Sequence, residues 1–186
     1  MTNILITGGS KGIGRAIAEE LKETGNIFVT GRNEKLLKDF KNYCICDLTQ
    51  NIEILQQYIK DNNIDVLINN AGEYIYGEID KITMNNIQHI FETNVIAPIK
   101  LISTSVSYMK AKKWGRIINI GSISGVIGEA YATSYSATKS AFLGLTKALA
   151  LEVAPYGITA NTINPGWVET ELAEKGIEES DFSKED

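Results

Sequence analysis

Two spacings of apolar residues alternate along the chain. Short, nearly continuous apolar runs occupy residues 3–7, 27–30, 43–46, 64–69, 116–120 and 158–164. Between them, over 12–24, 34–41, 51–61, 83–111 and 133–154, apolar residues return every three or four positions. The first spacing predicts strands and the second amphipathic helices. Strand following helix in this order implies βαβ units with right-handed crossovers. The expected fold is α/β, a doubly wound parallel sheet with helices on both faces. Runs such as Val66-Leu67-Ile68 fit a sheet covered on both sides. There is no internal repeat, low-complexity tract or proline-rich linker, so a single domain over 1–186 is expected.

Composition narrows the class. The 186 residues are 44% hydrophobic and 22% charged, ordinary for a chain with a packed core. The net charge of -5 argues against a nucleic-acid surface or a basic membrane face. No apolar run approaches membrane-spanning length, and the N-terminus enters Ile4-Leu5-Ile6 with no signal-peptide pattern. A cytoplasmic protein is expected. Cys44 and Cys46 lie on one face of their strand, too close for a stapling disulfide and without a second cysteine pair for zinc. They read as buried free thiols.

The first stretch with chemistry is Tyr135-Ser136-Ala137-Thr138-Lys139. Residues four apart share a helix face, so phenol and ammonium reach one region of space. A cation beside a phenol favours the phenolate and draws its pKa toward neutrality, which suits an acid/base pair. The second is Thr7-Gly8-Gly9-Ser10-Lys11-Gly12-Ile13-Gly14, between the first strand and first helix. Glycines there permit a tight turn and close backbone approach, and the helix N-terminus offers free amides and a positive dipole to a pyrophosphate. No Gly-Lys-Ser/Thr closes the loop, so it is not a Walker loop. Where NAD-users carry an acid, at the end of the second strand, this chain has Gly31 followed by Arg32. With Lys11, Arg32 suits a 2′-phosphate, which favours NADP(H) over NAD(H).

The order Thr-Gly-x-x-x-Gly-x-Gly, then Asn69-Asn70-Ala71-Gly72, then Tyr135-x-x-x-Lys139 resembles the short-chain dehydrogenase/reductase family. Gly115-Arg116-Ile117-Ile118-Asn119-Ile120-Gly121-Ser122 and Asn164-Pro165-Gly166 are most similar to its 3-oxoacyl-[acyl-carrier-protein] reductase-like group. The resemblance runs from about residue 3 to residue 170. It implies that Gly8, Gly12 and Gly14, with Ser10, Lys11 and Ile13, wrap the cofactor pyrophosphate. It places Asp47 and Leu48 at the adenine, and Asn70, Ala71 and Gly72 over the adenine ribose. Pro165, Gly166, Val168 and Thr170 would lie beside the nicotinamide. Ser122 would hydrogen-bond the substrate carbonyl, with Ser124 a nearby rival, while Tyr135 donates the proton and Lys139 lowers its pKa and binds the ribose. Asn94 would hold a relay water through its backbone carbonyl. An independent reason supports the last role: Pro98, four residues on, has no N–H for the Asn94 carbonyl, and the helix should kink there.

The implied activity is NADP(H)-dependent reduction of a ketone, possibly a 3-oxoacyl thioester, to a secondary alcohol. The competing reading is a non-catalytic or truncated NADP(H)-binding protein or cofactor sensor. Two departures feed it. Tyr156 stands where the fatty-acid-synthesis branch often has a carrier-docking arginine, and 169–186 is acidic and polar, either only the start of the family's lid segment or the end of a truncated form. The C-terminal strand is therefore expected to be lacking. By resemblance, the helices carrying Asn94 and Tyr135 form a homodimer interface, with a tetramer less favoured. His89 is expected to be solvated, and the basic run 110–116 to be a solvated loop in which Lys113 could meet an acidic carrier.

Overall fold

The computed structural model describes residues 1–170. The expected lid and missing seventh strand fall on 171–186, outside the described residues. The six strands are β1 (Asn3–Thr7), β2 (Asn26–Gly31), β3 (Asn42–Ile45), β4 (Val66–Asn69), β5 (Gly115–Ile120) and β6 (Ile158–Ile163). All pair in parallel, in the order β3-β2-β1-β4-β5-β6. The chain moves outward from β1 in one direction, then returns to lay β4 on its other side. That reversal leaves a crevice at the carboxyl ends of β1 and β4, where such sheets take their ligands.

Strand alternation divides the core in two. Leu5, Phe28, Leu67 and Ile117 face a layer made by α3 (Ile52–Asp61), α5 (Ala97–Lys112) and α7 (Thr133–Val153). Ile4, Ile6, Val29 and Ile68 face α1 (Gly12–Glu20) and α2 (Glu34–Leu37) on the other side. The inner strands are thus apolar on both faces, which is why their sequence shows runs without alternation, while β6 at the edge buries Ile158 and Ala160 and exposes Thr159 and Asn161. Cys44 and Cys46 are buried in the first layer as free thiols, as expected. Burial pushes the Cys46 thiol up to about 12.

Three elements differ from the sequence pattern. The helix expected over 34–41 is a single turn, capped by the Asn33 side chain, which accepts the Lys35 amide at 3.0 Å. The long helix expected over 83–111 is α4 (Met84–Phe91), a π-helical turn at Glu92–Ile96, and α5. Within it the Ala97 amide bonds the carbonyl of Glu92, five residues back. Pro98 cannot supply an α-helical donor, and a π turn absorbs that loss where a kink was expected. A short helix, α6 (Ser124–Ile127), follows β5 where the pattern gave only a turn.

A polar ladder ties this half of the sheet to α7. The Asn69 amide donates to Asn119 at 2.9 Å, Asn119 donates to Thr146 at 2.9 Å, and Thr146 meets Thr162 at 2.7 Å. Buried hydrogen bonds of this kind favour a single register, so the ladder sets α7 over the strand ends.

Candidate active site

The glycine loop closes against the end of β4. Gly8 lies at φ +66°, and a Cβ there would stand 2.9 Å from the Ala71 Cα. At Gly14 a Cβ would stand 2.4 Å from both the Asn70 side-chain nitrogen and the Gly8 carbonyl. Thr7 fastens the two segments: its Oγ1 accepts the amides of Asn70 and Ala71, each at 3.0 Å. In return Asn70 Nδ2 donates to the Thr7 carbonyl at 2.9 Å. The sequence reasoning passed over Thr7, although a threonine directly before the first glycine was its signal. Helix α1 begins here with no acidic residue in its first turn and no side-chain cap, so its end presents a positive dipole to the cleft.

A cleft of about 430 Å³ opens above this seam. Gly8, Ser10, Lys11, Gly12 and Ile13 line it on the loop side, with Arg32, Asp47 and Leu48 at one end. Asn70, Ala71 and Gly72 line it from β4, and Tyr135, Lys139 and Thr170 at the other end. Gly14 lies behind the loop, making room for Asn70. Pro165, Gly166 and Val168 line a second cavity of about 100 Å³, which shares Tyr135 with the cleft and contains Ser122. Asn94 lines neither.

At the Arg32 end the structure adds an acid that the sequence reading did not weigh. Glu73 Oε1 lies 3.0 Å from Arg32 Nη1, and its Oε2 lies 2.6 Å from His89 Nε2. His89, expected to be solvated, is therefore paired with a carboxylate. Asp47 folds back on its own loop, accepting the Thr49 amide at 2.9 Å and hydroxyl at 2.7 Å. Partial burial alone would raise the Asp47 pKa. The Thr49 bonds and the charges of Arg32 and His89 outweigh it, and the net shift is down.

At the other end Lys139 is 5% exposed; its ammonium donates to the Ile120 carbonyl at 2.8 Å and lies 5.6 Å from the Tyr135 ring centre. Burial brings its pKa down to about 8. Tyr135 moves the other way. Burial raises its pKa, a hydrogen bond with Ser122 pulls it down, and the Glu129 charge raises it further. The expected lowering of Tyr135 by Lys139 is thus corrected for this state of the chain. The reason is desolvation, which disfavours the charged form of both groups. Ser122 continues into a string of hydroxyls. Its Oγ donates to Ser124 Oγ at 3.1 Å, Ser124 donates to Glu129 Oε2 at 2.6 Å, and Tyr74 donates to Glu129 Oε1 at 2.7 Å. Tyr74 also stacks edge-on against Tyr135 at 4.8 Å. Neither Tyr74 nor Glu129 was singled out from sequence.

Asn94 sits in the π turn, 1% exposed, and engages the chain through its side chain. It bonds the amide and carbonyl of Glu73 and the hydroxyl of Thr138. Ser122, Tyr135 and Lys139 thus converge at the seam of two cavities, while Asn94 stands behind the segment after β4.

The family model described as short chain dehydrogenase matches residues 2–181. The chain belongs to the short-chain dehydrogenase family. It is accordingly an oxidoreductase of the class that acts on C=O and CH–OH groups. Among curated relatives, the dehydrogenase is 36% identical over 181 residues to 3-oxoacyl-[acyl-carrier-protein] reductase FabG of Rickettsia prowazekii (strain Madrid E), covering 92% of this chain and 74% of the relative. Among solved structures, it aligns with a variant of actinorhodin polyketide ketoreductase with NADPH at a TM-score of 0.91 and 32% identity, covering 99% of this chain and 78% of that one. ElxO with NADP bound aligns at a TM-score of 0.85 and 32% identity, covering 98% and 80%. Among the described residues no helix is long and apolar enough to cross a membrane, and no three or more His, Cys, Asp or Glu side chains are grouped to hold a metal ion.

Proposed function

We propose that this dehydrogenase reduces a ketone to a secondary alcohol using NADP(H). The observation that carries the reading is the meeting of Ser122, Tyr135 and Lys139 at the boundary of the long cleft and the smaller cavity. The cleft fits a dinucleotide. Its loop is closed so tightly at Gly8 and Gly14 that added Cβ atoms would strike the neighbouring strand end. Lys11 and Arg32 are the residues to hold a 2′-phosphate, with Asp47 and Leu48 at the adenine and Pro165, Gly166, Val168 and Thr170 at the nicotinamide. Bound there, NADP(H) supplies the hydride.

The protein's own part is protonation and charge stabilisation. Tyr135 donates a proton to the carbonyl oxygen as negative charge develops on it. Ser122 donates a hydrogen bond to the same oxygen, a contribution typically worth a few kcal/mol. Lys139, buried beside Tyr135, restores the phenol's proton and orients the cofactor ribose. Asn94 acts through the segment it braces.

A 3-oxoacyl thioester is the first substrate to offer, because the curated relatives carry that activity in their names. The test is NADPH oxidation by the purified chain with such a thioester, beside Tyr135→Phe. Turnover that collapses about 10²-fold or more in the variant, with NADPH binding retained, supports the assignment. Equal turnover in the two proteins defeats it.

The helices following Asn94 and carrying Tyr135 suit a homodimer. Ile96, Ile99 and Leu151 are 40%, 43% and 80% exposed on them, apolar area that a second copy would cover. A native mass of one chain would refute that assembly.

A further inference from the structure

Among the described residues lining the smaller cavity there is one charged side chain, and it is acidic. Glu129 lies in the loop between α6 and α7, with each carboxylate oxygen accepting one internal hydroxyl, from Ser124 at 2.6 Å and Tyr74 at 2.7 Å. An ionised carboxylate has about four lone-pair sites, so roughly half its accepting capacity is still available. The loop that carries it is held from outside: the Gly77 amide donates to the Tyr131 carbonyl at 2.7 Å, and Tyr76 packs on the Tyr131 ring at 5.4 Å. Tyr131 is kept at φ +60°, a conformation that non-glycine residues adopt only when their surroundings impose it. Glu129 is thus a fixed acceptor, linked through Ser124 and Ser122 to the phenol of Tyr135.

No arginine or lysine among the described residues lines this cavity to balance it. Lys139 lines the neighbouring cleft, not this cavity, and donates to the Ile120 carbonyl. A substrate carboxylate placed beside Tyr135 would meet the like charge of Glu129, with no cation among the described lining residues to offset it. A substrate hydroxyl could donate to Glu129 in a charge-assisted bond. Such a half-buried acceptor favours a molecule that brings the donor, because only that molecule gains the charge-assisted bond.

We propose that Glu129 selects the substrate: the cavity takes a ketone bearing a hydroxyl group near its carbonyl and rejects one bearing a carboxylate there. This rests on the ketone-reduction reading and adds to it a substrate class.

The experiment uses the full chain loaded with NADP+, so that ketones bind without being reduced. Three probes of near-equal length are titrated by NMR: 1-hydroxyhexan-2-one, heptan-2-one and 2-oxohexanoate. The wild type should bind the hydroxyketone about tenfold more tightly than heptan-2-one, and 2-oxohexanoate more weakly still. Glu129→Gln keeps the shape and a hydrogen bond to each neighbour, yet should narrow the hydroxyketone-to-keto-acid ratio to about threefold or less, chiefly by gaining the keto acid. A variant that merely loosened the cavity would weaken all three together. Equal binding of the three by the wild type, a ratio unchanged in Glu129→Gln, or no binding of any would each overturn the proposal. The same probes are then offered with NADPH. Selective binding without turnover would defeat the reduction reading and leave the selectivity standing; turnover without selectivity would do the reverse.

Discussion

Asn94 holds the main chain of Glu73 at both of its polar groups: Oδ1 accepts the amide at 2.8 Å and Nδ2 donates to the carbonyl at 2.9 Å. The same Nδ2 lies 3.1 Å from Thr138 Oγ1, one residue before Lys139. One side chain therefore joins the π turn, the segment after β4 and helix α7. Its effect is to keep the strand end that floors the cleft at a set distance from the Tyr135 and Lys139 helix.

Replacing it should be costly. Asn94→Ala removes these bonds and strands buried partners, at about 2–4 kcal/mol. We expect a lower melting temperature and weaker NADPH binding together. A melt that matched wild type would show that Asn94 is not the brace described.

Lys139 makes stability depend on pH in a specific direction. Its folded pKa is about 8, against 10.5 for the free side chain. Below pH 8 folded and unfolded chains both carry the proton, and the burial penalty is present in full. Between about 8 and 10.5 the unfolded chain binds more protons, so this group's contribution to stability improves as pH rises. Lys139→Met removes the penalty, worth at most about 3 kcal/mol, less whatever the Ile120 carbonyl loses. In denaturant titrations the variant should be at least as stable as wild type at pH 7, and lose that advantage by pH 10.5. A constant difference at every pH would contradict the buried-ammonium account.

Glu73 competes for the cation assigned to the 2′-phosphate. Arg32 is 66% exposed on its side chain and must leave, or share, the carboxylate at 3.0 Å when a phosphate arrives. Exposed pairs are worth about 0.2–1 kcal/mol, so Glu73→Gln should tighten NADPH roughly two- to fivefold and leave NADH nearly unchanged. Arg32→Ala should do the opposite to NADPH. Calorimetric titration with both cofactors decides it: identical gains for NADPH and NADH would remove Arg32 from the phosphate site.

Gly14 is the position where a single methyl group should undo the cofactor site from behind, although Gly14 does not itself line the cleft. An added Cβ would meet Asn70 Nδ2 and the Gly8 carbonyl at 2.4 Å, both part of the loop-to-strand fastening. Gly14→Ala should abolish NADPH binding and cost about 1–3 kcal/mol, in line with overpacking at other tight sites. Gly144→Ala, on the exposed side of α7 with nothing within 4 Å of the new methyl, serves as the control and should bind normally.

What the sequence by itself determined is the part set by short-range rules. Apolar periodicity placed all six strands: burial on both faces makes the inner ones continuous apolar runs, and one-sided burial makes edge strand β6 alternate. Spacing along one helix brought Tyr135 and Lys139 together, since four residues is close to one turn. Glycine at 8 and 14 marked a loop that no side chain could occupy. The tertiary structure alone decided what depends on distant segments meeting. Glu73, on the loop after β4, reaches Arg32 at the end of β2, 41 residues away, and no local pattern encodes that pairing. Tyr74, packed against Tyr135, donates to the carboxylate of Glu129, 55 residues away. The pKa values of Tyr135 and Lys139 follow the same division. Sequence spacing supplies the partner, but the water that each group loses is set by the whole fold, and here desolvation governs the direction of both shifts.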